Sequence, residues 1–219
     1  MTTRKEFSTA LNELQGRLKA MGDETEAALH KAVSALVQQD LDAARRIIDF
    51  DAELNRMEDE IVEWGIRLIA TQQPVAKDLR RIIVALKISS DLERMADLAV
   101  DIAKVVVRIN KQQLIKPLVD IPRMAEITGV MIHEAIQAYL TENIQLAYKM
   151  AQDDDRVDSL YSQILQELFA YMSKHPEDSN QAMLLSFIGR YLERIADHAT
   201  NIGEQVVYLV EGKRPDLNS

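Results

Sequence analysis

Cysteine is absent from this 219-residue chain, which excludes disulfides, thiolate zinc and iron–sulfur sites, and cysteine nucleophiles. Glycine and proline are scarce, seven and five residues, about half of what average usage of roughly 7% and 5% would give. The glycines are scattered singly, so no glycine-rich phosphate loop can be drawn. Aromatic residues make up only 5% of the chain. Strand-like alternation of apolar and polar residues is missing. No run approaches the ~18 consecutive apolar residues of a spanning helix. The most apolar stretch, Leu98 to Val107, is broken by Asp101 and Lys104. Basic charge is in deficit: 26 Lys and Arg against 35 Asp and Glu leave a formal net charge of −9. A field of that sign repels phosphate backbones and argues against DNA or RNA as the main partner. The N-terminal residues Met1 to Phe7 run into a polar amphipathic pattern without the apolar region of a signal peptide, so the expectation is a cytoplasmic protein.

What is present is abundant Ala, Leu, Glu and Lys/Arg in helical spacing. Leu54, Met57, Ile61, Trp64 and Leu68 step by three and four, as do Ile164, Leu165, Leu168 and Met172. Punctuation divides the chain into six helical segments. The first runs from about Arg4 to Gln38, and Asp40 is placed to cap a second that continues to about Thr71. Gln73-Pro74 lets a third start, which fades in Asn110 to Gln113. Pro117 and Pro122 bracket a linker near Lys116 to Pro122, and a fourth segment runs to about Leu140. Thr141 to Asn143 cap a fifth that His175-Pro176 closes, and the sixth ends at Glu211 before Gly212 and Pro215. The fold class is therefore all-α, with antiparallel helices three to a bundle.

The chain also repeats itself. At an offset of 103, Met21, Thr25, His30, Ala32, Ala35, Ala44 and Asp51 fall on Met124, Thr128, His133, Ala135, Ala138, Ala147 and Asp154, and Asp40 falls on Asn143. A shorter break near Pro176 reduces the offset to 100, and Leu92 to Ala99 then faces Leu192 to Ala199. Two similar three-helix bundles follow, over residues 1–116 and 117–219.

The duplicated Leu-Glu-Arg-x-Ala-Asp-x-Ala carries the chemistry. Glu93, Asp97 and Asp101 lie at i, i+4 and i+8, each displaced about 40° from the last, and form one acidic stripe. Met95, Leu98, Ala99, Ile102 and Val106 lie opposite, toward the core. The second copy presents Glu193, Asp197 and Asn201. Like charges at this spacing cost a helix roughly 0.2–0.5 kcal/mol per pair, so something cationic must answer them. Two readings stand at this point. The stripes are solvated faces answered by Arg94 and Arg194, or they are oxygen-donor sites for Mg²⁺, Ca²⁺, Mn²⁺ or oxygen-ligated iron.

The chain resembles the PhoU family of bacterial phosphate-uptake regulators over nearly all its length. The residues that carry the likeness are Gln73-Pro74-Val75-Ala76-Lys77-Asp78-Leu79-Arg80, Asp91 to Asp97, and Leu192 to Asp197 followed by Asn201-Ile202. The resemblance implies two three-helix bundles carrying Glu/Asp-x-x-x-Asp metal motifs. It carries over Glu93, Asp97, Glu193 and Asp197 as ligands of a divalent metal or iron, in some members a multinuclear cluster. Asp101 and Asn201 extend the motif by one turn. Ala96 and Ala196 stand where the family often has Gly, which leaves the ligands intact. The resemblance further implies a regulatory adaptor and not an enzyme. It would be a dimer coupling a phosphate ABC transporter, through its ATPase subunit, to a sensor histidine kinase, and would reach the membrane through those partners only.

Other residues read more plainly. Asp49, Asp51, Glu53, Asp153, Asp154, Asp155 and Asp158 read as a solvated acidic set, with Asp51 and Asp154 its best candidates for outer ligands because they align as identities. His30 and His133 occupy equivalent positions among alanines and read as packed or partly exposed helix residues. His198 is peripheral to the motif, and His175 ends a helix. Trp64 reads as core. No Glu has a His three residues later, which disfavours a ferritin-like di-iron oxidase. No Ser-His-Asp set is visible. Rival functions are a metal-dependent hydrolase or oxidase, which lacks a visible base or nucleophile, and a metal-free helical scaffold.

Overall fold

The computed structural model describes residues 2–213 and 215–217, residues 2–4 by their backbone alone. The helices are α1 (Thr2–Gln38), α2 (Leu41–Gln72), α3 (Ala76–Ile109), α4 (Asp120–Thr141), α5 (Ile144–Met172) and α6 (Ser179–Glu211), with one 3₁₀ turn at Pro176–Asp178. Among the described residues there is no strand.

Local chemistry explains the boundaries. The Asp40 carboxylate accepts the backbone N–H groups of Asp42 and Ala43 at 3.0 and 2.9 Å, and Asn143 does the same for Gln145 and Leu146 at 3.0 and 3.4 Å. Each satisfies helix-start donors that have no intrahelical partner. Several helices end in the left-handed conformation without glycine. Gln73, Asn110 and Glu142 stop α2, α3 and α4 at φ 46°, 50° and 53°. Gly212, at φ 75°, ends α6 in the way the sequence indicates. Two boundaries differ from the sequence reading. Pro122 lies inside the first turn of α4, where its missing N–H costs nothing, and is not part of the linker. Helix α3 begins two residues after Pro74, since Val75 is extended.

Helices α1, α2 and α3 pack on one another, as do α4, α5 and α6, so the chain is two three-helix bundles. The bundles join through α3 against α6 and α1 against α4, while α2 and α5 touch helices of their own half alone among the described residues. Met95, Leu98, Ala99, Ile102 and Val106 are all buried. Trp64 is a correction: it is half-buried at the core margin, its Nε1–H donating to the Ala10 carbonyl at 3.0 Å. The guanidinium groups of Arg17 and Arg67 lie 5.0 and 5.6 Å from its ring. The segment before α4 is pinned by buried Gln181 of α6, which accepts from the Ile115 N–H at 2.7 Å and donates to the Gln113 carbonyl at 3.1 Å.

The Gln73-to-Arg80 motif, with Arg81 next to it, ties the halves together. Lys77 and Arg81 both reach Glu142, at 2.7 and 2.8 Å. Arg80 donates to the carbonyls of Tyr208 and Leu209 at 3.3 and 3.4 Å, with its guanidinium 5.2 Å from the Tyr208 ring. Two outcomes follow for urea denaturation. Gln73→Gly removes a left-handed non-glycine strain and raises stability by about 1 kcal/mol. Leu192→Ala, at a fully buried site, lowers it by about 2–5 kcal/mol.

Candidate metal centre

Each stripe lies along the edge where a central helix meets the outer helix of its own half. Glu93, Asp97, Asp101, Glu193, Asp197 and Asn201 are all half-buried. In the first half, α2 adds Asp51 and Glu58 to the acids of α3. Burial raises the Glu93 pKa above its ordinary value, Asp97, Glu58 and Asp51 push it further, and Arg94 opposes them. The Asp97 carboxyl is raised by burial and then by Asp51, again against Arg94. Glu58 is raised by burial and by Asp59. Cations partly answer this set. Arg94 stands 3.4 Å from Glu93 and 3.7 Å from Asp97, and Lys104 pairs with Asp101 at 2.8 Å.

The second half is drier. Asp154 of α5 is only 7% exposed, and its pKa is pushed up to about 7 by burial, then by Asp158, Asp197, Asp155 and Glu193. Glu193 is raised by burial and by Asp197, against Arg190. It is Arg190, one turn before Glu193, and not the expected Arg194, that pairs with it. Asp153 is also buried but is paired, with Arg156 at 2.6 Å and Lys149 at 3.1 Å. The sequence reading of a solvated acidic set therefore fails for Asp153 and Asp154, because their turn of α5 packs inward. Glu58 was missed altogether. The identity of Asp51 with Asp154 was the signal available for that pair; Asp153, which falls opposite Phe50, had none.

Do these residues suit a cation? The Asp154 Oδ1 and Glu193 Oε2 atoms are buried without a hydrogen-bond partner. Buried anionic oxygens left unpaired are costly, and a cation relieves that cost. The donors are carboxylates and one amide, which suits hard, oxygen-preferring ions. The set is not preassembled, however. Residues at i and i+4 are separated by about 6 Å along a helix axis. Among the described residues, the one group of three His or acidic side chains with ligand atoms mutually within 4.8 Å is His175, Glu177 and Asp178, at the turn before α6. An ion at either stripe must draw its carboxylates inward.

A duplicated three-helix bundle with an acidic edge on each half is the architecture of a known class. The chain belongs to the PhoU family: the family model described as PhoU domain matches residues 18–106 and again 121–206. The phosphate-specific transport system accessory protein PhoU homolog of Clostridium acetobutylicum is 42% identical over 217 residues, covering 99% of each chain. The protein of the same designation from Aquifex aeolicus is 38% identical over 203 residues, covering 93% of this chain and 92% of its own. Crystal structures of PhoU from Pseudomonas aeruginosa and of the phosphate transport system regulatory protein PhoU from Streptococcus pneumoniae superpose with TM-scores of 0.90 and 0.89, at 35% and 30% identity. They cover 94% and 96% of this chain, which in turn covers 100% and 99% of theirs. These designations are of accessory and regulatory proteins, not of enzymes.

The raised Asp154 carboxyl gives a pH signature. The native state keeps this proton between pH 3.8 and about 7, where the unfolded chain has released it. Native stability must then fall as pH rises through that window. Urea titrations in chelator should show this decline in the wild type and a flatter profile in Asp154→Asn. Parallel profiles would remove Asp154 as its source.

Proposed function

We propose that this chain is a regulator of phosphate uptake that acts through protein contacts and not through catalysis. The observation that carries the reading is whole-chain similarity, 42% identity across 99% of both chains, to a phosphate-specific transport system accessory protein. Its partners are the ATPase subunit of a phosphate ABC transporter and a phosphate-sensing histidine kinase, and it restrains both uptake and the starvation response when phosphate is plentiful. It works as a cytoplasmic homodimer that meets the membrane through those partners. No helix among the described residues is long and apolar enough to cross a bilayer. The net charge of −9 favours basic protein surfaces over nucleic acid.

Metal belongs to this proposal. A divalent ion or iron is held in the first half by Glu93, Asp97 and Asp101, with Asp51 and Glu58 beside them. In the second half Glu193, Asp197 and Asn201 hold it with Asp154 and Asp158. The unpaired buried oxygens of Asp154 and Glu193 support the second of these most strongly. Bound metal neutralises the repelling carboxylates and fixes the edge between outer and central helix as a docking surface.

Elemental analysis tests the ligands. Glu93→Ala with Asp97→Ala should empty the first stripe alone, and Glu193→Ala with Asp197→Ala the second alone; an unchanged metal complement in both rejects the assignment. A deletion strain tests the role. Phosphate-starvation genes should be expressed in high phosphate, and affinity capture from phosphate-replete cells should recover the transporter ATPase and the kinase. Normal repression with neither partner recovered would defeat the adaptor reading.

A further inference from the structure

At the crossing of α1 and α4 the repeat brings its own equivalent residues together. His30 and His133 correspond at the offset of 103, and the same offset places Glu26 of α1 opposite Gly129 of α4. The symmetry is thus kept in the imidazoles and broken in the pair between them. One half supplies a carboxylate and the other supplies empty space. The space is used. A Cβ at Gly129 would lie 2.5 Å from His30 Nε2, so the ring rests against bare backbone of α4. A glycine inside a helix costs about 0.5–1 kcal/mol relative to alanine, and here that ring's approach requires it.

The result is a carboxylate flanked by two imidazoles from different bundles. His30 Nε2 lies 3.9 Å from Glu26 Oε1, and His133 Nδ1 lies 3.4 Å from Glu26 Oε2. Glu26 is half-buried, while both histidines are exposed enough for an ion to enter from solvent. Two ligand atoms bound tetrahedrally to one Zn²⁺ at about 2.0–2.1 Å are separated by about 3.4 Å. The observed nitrogen–oxygen separations are at or slightly above that span. The two separations end on different oxygens of Glu26, and one ligand atom from each of the three residues does not come within 4.8 Å of both others, so an ion here must draw the two rings toward one carboxylate. Imidazole donors select zinc and copper, where the all-oxygen acidic stripes select harder ions.

We propose that Glu26, His30 and His133 form a binding site for a divalent transition-metal ion of the Zn²⁺ class, which bridges the two bundles at the α1–α4 crossing. Two ligands one turn apart on α1 and a third on α4 make the ion a staple between halves. Its ligand set shares no residue with the stripes, so this site stands or falls independently of the phosphate-regulation reading.

Cu²⁺ serves as the probe, added to chelator-treated full-length protein and followed by electron paramagnetic resonance. The acidic stripes offer Cu²⁺ oxygen alone, whereas this site couples the electron spin to two imidazole nitrogens. The wild type should show two-nitrogen coupling, and His133→Asn should lose it. Glu26→Gln should keep the helical fold by circular dichroism and bind at the nitrogen site about tenfold or more weakly. Absence of two-nitrogen coupling in the wild type, its persistence in His30→Asn with His133→Asn, or unchanged affinity in Glu26→Gln would each overturn the proposal.

Discussion

The apolar packing of α3 against α6 is the constraint on which the rest of the molecule depends. Each of these helices is enclosed by three others, α3 by α1, α2 and α6, and α6 by α3, α4 and α5. Leu92, Met95, Ala96 and Ala99 on one, and Leu192, Ile195, Ala196 and Ala199 on the other, are almost wholly removed from water. A helix enclosed in this way has little circumference left for polar groups. The acids of both motifs are confined to the narrow strip beside the outer helix. There they are partly desolvated and face further acids across a helix–helix contact. The raised carboxyls of Glu93, Asp97 and Glu193 follow from that packing.

The two halves answer the same problem differently. Lys104 neutralises Asp101 in the first half, while the equivalent residue in the second is Glu204, which is engaged with the Leu217 N–H at 2.9 Å. The second half trades one carboxylate for Asn201 on α6 and gains Asp158 on α5, where the first has Asn55. It also buries Asp154 more deeply than its counterpart Asp51. The first edge is therefore partly answered by the protein's own cations. The second keeps a buried carboxyl oxygen of Asp154 and one of Glu193 without a hydrogen-bond partner. Duplication supplied one geometry, and subsequent divergence gave it two electrostatic states.

Much of the fold was legible in the sequence because its signals are local. Asp40 and Asn143 cap as their residue types require, and the helical step of Met95, Leu98, Ala99, Ile102 and Val106 marked a buried face. The acidic stripes were legible for the same reason, since i, i+4 and i+8 share a helix face. What was hidden depends on which helices meet. Nothing in the spacing of Glu58 announces that it faces Glu93, and the solvated look of Asp154 dissolves only once α5 is laid on α6. The Gln73-to-Arg80 motif stood out as a family signature, yet its role in reaching Glu142 and the end of α6 spans some 60 to 130 residues of sequence. Trp64 has the apolar step of a core residue, but its indole N–H needs an acceptor and holds the ring at the margin.

Glu142 shows how local and global demands on one residue can conflict. Its backbone sits at φ 53°, where glycine would be at ease, and so α4 ends on a residue poorly suited to the turn. Its carboxylate is half-buried, yet Lys77 and Arg81 outweigh that burial and hold its pKa below the ordinary value. Gln73 faces the same backbone demand at the end of α2. A glycine at position 142 would ease the turn and release both cations of the first bundle at once. Conformational comfort within one repeat is given up here for ion pairs that reach the other, so drift at this position would cost those cross-bundle pairs while the packing of α3 on α6 still held the halves together.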